Sequence, residues 1–290
     1  MKGTREEHAV VNKGVTMEGV RGNLRKMIAT VETPVAYALP LSDERVPLNP
    51  LLGKTVRLEY SGQILCAGCG QLTKKSFNQG FCYRCFSTLA QCDLCIVKPE
   101  LCHFAKGTCR EPEWGQAHCM QPHYVYLANA SGMKVGITRG SQVPTRWLDQ
   151  GAVQALLVLQ VHSRHQAGLV EVAMKQHVSD RTDWRKMLKG EPEAHDLKSQ
   201  REGLLGRCAD ALATSAVTTE RLEPVFLETE EVRKFNYPVL TYPSKVTALN
   251  LDKTSTIEGT LLGIKGQYLI FDIGVLNVRK FTGYQVTVSM

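Results

Sequence analysis

Tyr124-Val125-Tyr126-Leu127-Ala128, a turn through Asn129-Ala130-Ser131-Gly132, and a return as Met133-Lys134-Val135-Gly136-Ile137-Thr138-Arg139 form the stretch that decides how this chain is read. Two strand-like runs joined by Asn, Ser and Gly predict a β-hairpin. Arg146 follows, then an apolar strand from Val153 to Val161, then a helical segment from His165 to Val178 that carries Glu171. In that segment Leu169, Val172, Ala173 and Gln176 share one helical face.

Upstream lies a segment of a different kind. Residues 66–123 hold nine of the ten cysteines and show almost no helical or strand period. So long a stretch without period belongs in a compact protein only if something other than a core holds it. Metal ligation can do so, because ligand bonds replace the missing apolar burial. Cys66-x-x-Cys69 and Cys82-x-x-Cys85 stand twelve residues apart, the spacing of two zinc knuckles closing one tetrahedral thiolate site.

Beyond them, Cys92, Cys95, Cys102, Cys109 and Cys119, with His103, His118 and His123, offer five cysteines and three histidines for the four positions of a second metal. The first choice is Cys92, Cys95, Cys102 and Cys109, with Cys119 and His103 in reserve. Zinc suits both sites structurally, and an iron–sulfur cluster is the alternative at the second. Cys208 stands alone on an apolar helix face and reads as a core residue.

The flanks are ordinary. Residues 1 to about 25 read as a polar lead, and about 27–65 as a small β-structure in which Val35 to Leu39, between Pro34 and Pro40, suits an edge strand. Asp183 to Leu188 predicts a short helix capped by its Asp, and residues 193–217, including Leu204, Leu205, Cys208, Leu212 and Ala216, a longer amphipathic one. Lys245 to Met290 reads as about five short strands between glycines, which predicts a small closed barrel, joined or not by strands from 27–65. The expected class is thus α+β and multi-domain. Its units are a lead and β-structure (1–65), a cysteine-rich segment (66–123), a small α/β domain (124–190), a helical region and linker (191–244) and a small β-barrel (245–290).

Composition bounds the rest. An apolar fraction of 43% and a charged fraction of 22% belong to an ordinary globular protein. No apolar run approaches the roughly 18 residues that span a bilayer, and the first residues lack the apolar core of a signal peptide. A cytoplasmic protein with no membrane partner is expected, and clustered thiols in that reducing setting favour metal over disulfides. The net charge of +7 favours an anionic partner such as DNA or RNA. Oligomeric state is not readable.

Val125-Tyr126 on one strand, Lys134-Val135-Gly136-Ile137-Thr138 on the next, Arg146 and the helical Glu171 together resemble the GIY-YIG nuclease domain. The resemblance covers about residues 123–190 and is closer to a divergent branch whose second motif reads Lys-Ile-Gly-Ile-Thr. The whole chain also resembles an uncharacterised bacterial family carrying a domain of unknown function and an N-terminal zinc-binding cysteine cluster.

The first resemblance implies a three-stranded antiparallel sheet flanked by helices, and phosphodiester hydrolysis assisted by one divalent metal. Glu171 would be the ligand of magnesium or manganese. Arg146 would hold the scissile phosphate, Tyr126 would orient the attacking water, and Gly136 would allow close backbone approach. Lys134 departs from the motif, which has tyrosine there. A lysine serves as a base only if burial or neighbouring positive charge lowers its pKa, and otherwise contacts phosphate. His162, His165 and His177 are the nearby alternatives for proton transfer.

Each feature has a plainer reading. Tyr126 suits a strand core, Glu171 an i,i+4 pair with Lys175, and Arg146 a contact with Trp147. The expected function is therefore a zinc-containing, metal-dependent nuclease. The competing class is a zinc protein that binds nucleic acid on a degenerate nuclease fold without cutting. A sensor built on the surplus cysteines is a third.

Overall fold

A computed structural model describes residues 19–213 and 223–290. The polar lead before residue 19, and the end of the second amphipathic run with Ala216, lie outside them.

The first strands are β1 (Val20–Asn23), β2 (Ile28–Thr30), β3 (Ala36–Leu41), β4 (Glu44–Pro47), β5 (Thr55–Leu65) and β6 (Leu72–Thr73). The cysteine segment adds short helices α1 (Tyr83–Thr88) and α2 (Pro112–His118) among single 3₁₀ turns. The middle of the chain supplies β7 (His123–Asn129), β8 (Met133–Arg139), α3 (Thr145–Asp149), β9 (Gln154–Val161), α4 (Arg164–Met174), α5 (Trp184–Met187) and α6 (Leu197–Ala213). The rest is β10 (Val225–Phe226), β11 (Arg233–Lys234), β12 (Thr256–Lys265), β13 (Tyr268–Phe271), β14 (Gly274–Asn277) and β15 (Tyr284–Ser289). The class is mixed α/β, with every strand pair inside the sheets antiparallel. Among the described residues no helix is long and apolar enough to cross a membrane.

The expected C-terminal barrel does not close. Its strands belong to an open seven-stranded sheet in the order β1-β15-β5-β12-β13-β14, with β6 on β5. The reason is long-range pairing. Strand β5 lies between β15 and β12, with Val56 opposite Gly259 and Leu58 opposite Val288, so the late strands do not close on one another. Period-2 alternation on β5 is as the sequence predicts, with Val56 and Leu58 buried and Arg57 and Glu59 exposed.

Residues 28–47 form a separate three-stranded antiparallel sheet, β2-β3-β4. Strand β3 is central rather than an edge. Pro40 is tolerated there because β2 pairs only as far as Ala38, leaving the proline beyond its end.

The hairpin forms as expected, with Tyr126 opposite Gly136 and Asn129 opposite Met133. Strand β9 pairs with the other edge of β7, so three long strands run in the order β9-β7-β8, and the two-residue β10 and β11 extend them on the β9 side. Both faces are covered. Val125, Leu127, Val135, Leu156 and Val158 pack with Val170 and Met174 of α4 and Leu204, Cys208 and Leu212 of α6. Tyr126, Ala128 and Leu157 face Trp147 of α3 and the core of the large sheet. Burial on two faces explains why β9 reads as a nearly continuous apolar run.

Helix α4 begins where Ser163 accepts from the Gln166 N–H, and α5 where Asp183 Oδ1 accepts from the Arg185 and Lys186 N–H groups at 3.0 and 3.1 Å. Cys208 is buried on α6, the core residue the sequence suggested.

Candidate active site and thiolate centre

The end of β5 delivers Cys66, and the turn that follows is closed by the Gly70 N–H donating to the Cys66 carbonyl at 2.9 Å. Cys82 caps α1, placing Cys85 one turn on. The sulfurs of Cys66, Cys69, Cys82 and Cys85 all lie within 4.8 Å of one another, and those of Cys69 and Cys82 are 3.9 Å apart. Burial pushes the Cys66 thiol up, but backbone N–H groups of Cys69, Cys82 and Gly68 outweigh it and hold the thiol below its ordinary range. The Cys82 and Gly68 N–H groups reach its sulfur at 3.1 and 3.4 Å. Burial first, and then the neighbouring thiols, raise Cys85. One sulfur prepared as an anion among three others is the donor set of a tetrahedral thiophilic ion, so this cluster could hold a metal such as zinc.

The remaining cysteines do not group as their spacing suggests. Cys95, Cys102, Cys109 and Cys119 line one small cavity, which His103 also borders. Cys92 does not line it; its thiol hydrogen-bonds to Asn78, on the side of Cys66. His103 Nδ1 pairs with Thr108 Oγ1 at 2.8 Å, His118 Nδ1 with the Trp114 carbonyl at 2.9 Å, and His123 Nδ1 with the Gln121 carbonyl at 2.8 Å.

Tyr126, Lys134, Arg146 and Glu171 meet around a cavity of about 180 Å³, joined there by Arg164 and Asp180. Each arrives for a structural reason. Tyr126 and Lys134 come from the paired strands of the hairpin, Arg146 from α3 and Glu171 from α4. A Cβ at position 136 would lie 2.6 Å from Tyr126 Oη, so only glycine lets the tyrosine ring cross the opposite strand. The Tyr126 hydroxyl donates to Gln150 Oε1 at 3.0 Å, just beyond α3. Asp180 arrives because the chain after α4 clips against β8, where the Val135 N–H donates to the Ser179 carbonyl at 2.8 Å.

Helix α4 is fixed against the cysteine segment. Its Gly168 lies so close that a Cβ there would be 2.5 Å from the Glu100 nitrogen and 2.6 Å from Pro99 Cβ. The Arg164 N–H donates to the Cys119 carbonyl at 2.8 Å, and its guanidinium to the Ile96 carbonyl at 2.6 Å.

The electrostatics follow from burial of the hairpin on both faces. Burial, and then the Arg146 charge, bring Lys134 down to about 8. Burial, and then Asp180, raise Glu171. Burial raises Tyr126. A second cavity of about 660 Å³ adjoins the first, sharing Arg146 and Arg164 and adding Lys26, Arg139 and Arg279. Its far wall comes from the cysteine segment through Asn78, Gln79 and Phe81. None of His162, His165 and His177 lines either cavity.

Sequence reasoning missed Arg164, Asp180, Gln150, Arg139 and Arg279. Arg164 was findable, since it precedes Glu171 by seven residues and so shares its helical face. Asp180 and Arg279 carry no local signal, because a loop and the distant C-terminal sheet supply them.

The class defined by these features is a mixed α/β protein of antiparallel sheets, with a four-cysteine cluster near its N-terminus that could hold a metal. Residues 53–286 match the family described as "Protein of unknown function (DUF2797)", and the chain belongs to that family. No curated protein and no solved structure matches it.

Proposed function

We propose that the cavity between the hairpin and α4 hydrolyses phosphodiesters of a nucleic-acid strand with one divalent metal, and that zinc in the Cys66 cluster holds the facing wall. The observation that carries the reading is the meeting of Tyr126, Lys134, Arg146 and Glu171 at one cavity, continuous with a groove lined by five cations. Tyr126, Arg146 and Glu171 are the positions that the GIY-YIG resemblance implies, and Lys134 stands where its motif has tyrosine.

The residues fit such a metal. Glu171 is a hard oxygen donor whose charge Asp180 opposes, and a cation between them would relieve that repulsion. Magnesium or manganese held by Glu171 would supply Lewis-acid polarisation of a phosphoryl oxygen. The chain's own groups do the rest. Arg146 and Arg164 bind the phosphate and offset charge that develops on it. Lys134, brought down to about 8, is neutral in part of the population near neutral pH and can take a proton from water at its Nζ. That water forms the new P–O bond as the bond to the sugar oxygen breaks, and the departing oxygen takes its proton from solvent water. Tyr126, held by Gln150, positions the water. The lysine at the motif's tyrosine position thus has the environment that a lysine base requires.

The groove also supports the rival reading, since Lys26, Arg139, Arg146, Arg164 and Arg279 would bind a polyanion without cutting it. Cleavage of plasmid, single-stranded DNA and structured RNA in magnesium or manganese separates the two. Glu171→Ala should lower cleavage by about 10²-fold or more while binding persists. Parental cleavage by that variant would remove Glu171 from the chemistry.

A further inference from the structure

The loop between Cys69 and Cys82 does more than close the far wall of the groove. Besides Gln79 and Phe81 it carries Lys74 and Lys75, and the thiolate cluster gathers both of its ends. Its later part abuts the large sheet just before β15. A Cβ at Gly80 would lie 2.9 Å from Thr282 Cγ2, and the Ala67 N–H donates to the Gly80 carbonyl at 2.7 Å. Lys280, two residues before Thr282, joins Lys74, Lys75 and Gln79 around a cavity of about 410 Å³. Gln79 also lines the groove of about 660 Å³, whose Arg279 directly precedes Lys280. The groove in turn shares Val97, Arg146 and Arg164 with the cavity at Glu171. Three cavities therefore lie in series, from Glu171 to Lys74.

Their cations are unanswered. Among the described residues Arg139, Arg279, Lys74, Lys75 and Lys280 form no ion pair. Rings rather than carboxylates hold two of them: Lys75 Nζ lies 5.2 Å from the Phe77 ring centre, and Lys280 Nζ 5.1 Å from that of Phe281. The acids of the two outer cavities are already engaged, Asp149 by Lys26 and Gln267, and Asp252 by the Tyr284 hydroxyl at 2.7 Å. Burial first, and then the Arg146 charge, bring Arg279 below its ordinary range. A chain of phosphates would relieve that crowding. Phe81 and the exposed Val97 set apolar faces between these cations. Cations that follow a backbone, interleaved with faces on which bases rest, are what an unpaired strand requires. Each cavity takes one wall from the cysteine segment, and none exceeds the roughly 300–1,000 Å³ of a ligand pocket. A duplex, stiff over about 150 base pairs, does not thread successive pockets of that size, whereas a single strand does.

We propose that an unpaired nucleic-acid strand runs through the three cavities, from the Glu171 site past Arg139 and Arg279 to Lys280, Lys74 and Lys75. A metal in the Cys66 cluster then holds the loop that grips the strand. The path rests on the hydrolytic reading only for what happens at Glu171, and binding without magnesium or manganese tests it separately. The measurement is binding of labelled strands of about 20 nucleotides, DNA and RNA in separate arms, and of the matching duplexes, by the full chain over a range of salt. The strand should bind more tightly than the duplex, and the two arms tell which sugar the path accepts. For a single strand, log affinity falls with log salt by about 0.7 per phosphate neutralised. Lys74→Ala, Lys75→Ala and Lys280→Ala together should therefore flatten the slope by about 2 and weaken binding by about tenfold or more at low salt. Lys54→Ala, Lys186→Ala and Lys189→Ala together remove the same charge from residues that line none of the three cavities, and should leave the slope as it is. Tighter binding of the duplex, or equal loss of slope in the two triple variants, would overturn the path. Parental cleavage by Glu171→Ala beside a flattened slope in the first triple variant would keep the path and remove the hydrolytic reading.

Discussion

Residues 66–119 and 123–161 adjoin in sequence, yet different forces hold them. In the first region the buried residues are Cys66, Gly80, Cys85, Ala90, Cys92, Pro99, Gly115 and Cys119, while Leu72, Tyr83, Leu94, Val97 and Leu101 are exposed. No buried side chain there is larger than cysteine or proline. In the second region Val125, Tyr126, Leu127, Val135, Leu156, Val158 and Leu159 are buried almost completely. Such side chains contribute about 1.5–3 kcal/mol each when fully buried, so the sheet has a core of its own. The cysteine segment has no such core, and a metal held by the Cys66 cluster would supply order that apolar burial does not. The arginine-lined groove runs between the two, with one wall from each.

The largest expected effect follows directly. Cys85→Ser, or a strong chelator, should remove on the order of several kcal/mol from the cysteine segment, because binding free energy is folding free energy where no core exists. The sheet should survive. Proteolysis would cut within 66–119 first, and amide exchange would rise there while β7 and β9 stay protected. Melting of both regions in one transition would break the comparison.

A smaller effect is expected at the joint between them. Gly168→Ala places a methyl against the backbone at Glu100, which cannot yield by rotating a side chain. Overpacking of this kind costs about 1–3 kcal/mol, and alanine's helical advantage of about 1 kcal/mol does not cancel it. Urea denaturation should show the loss. Cleavage should fall as well, since α4 carries Glu171. Unchanged stability would mean that the two regions are not packed as a unit through α4.

The same contrast governs what was legible in the sequence. The hairpin, β9, α4 and α5 announce themselves through turn residues, apolar period and the cap at Asp183, all of which act over a few residues. The Cys66 cluster was legible from its paired spacing. In the second set the spacing did not fix the ligand choice. Short 3₁₀ turns on either side of Asp93 send Cys92 toward Asn78 and Cys95 into the cavity, so a C-x-x-C pair splits between two environments. The barrel failed for a different reason. Strand β5 enters the late sheet from about two hundred residues away in sequence, and local pattern carries no record of such a partner. Asp180 was hidden likewise, since a loop contact to β8 brings it to the site.

The smallest expected effect is a slope rather than a loss, and it sets the two walls side by side at the level of single groups. Cys66 is tuned toward its anion by backbone N–H donors, in a region without a core. Lys134 is tuned toward its neutral form by burial in the sheet, with Arg146 adding to it. The sign is fixed by the direction. A lysine brought down to about 8 loses its proton as pH rises through that value, so cleavage that uses it as base should climb by at most tenfold per pH unit and level off above about 8. Glu171, raised by burial and Asp180, must lose its proton to bind a cation, so divalent affinity should fall on the acid side. Lys134→Arg keeps the positive charge but stays protonated throughout, and should flatten the climb while leaving nucleic-acid binding in place. A climb through pH 8 that persists in that variant would assign the proton transfer to another group and leave Lys134 as a phosphate contact.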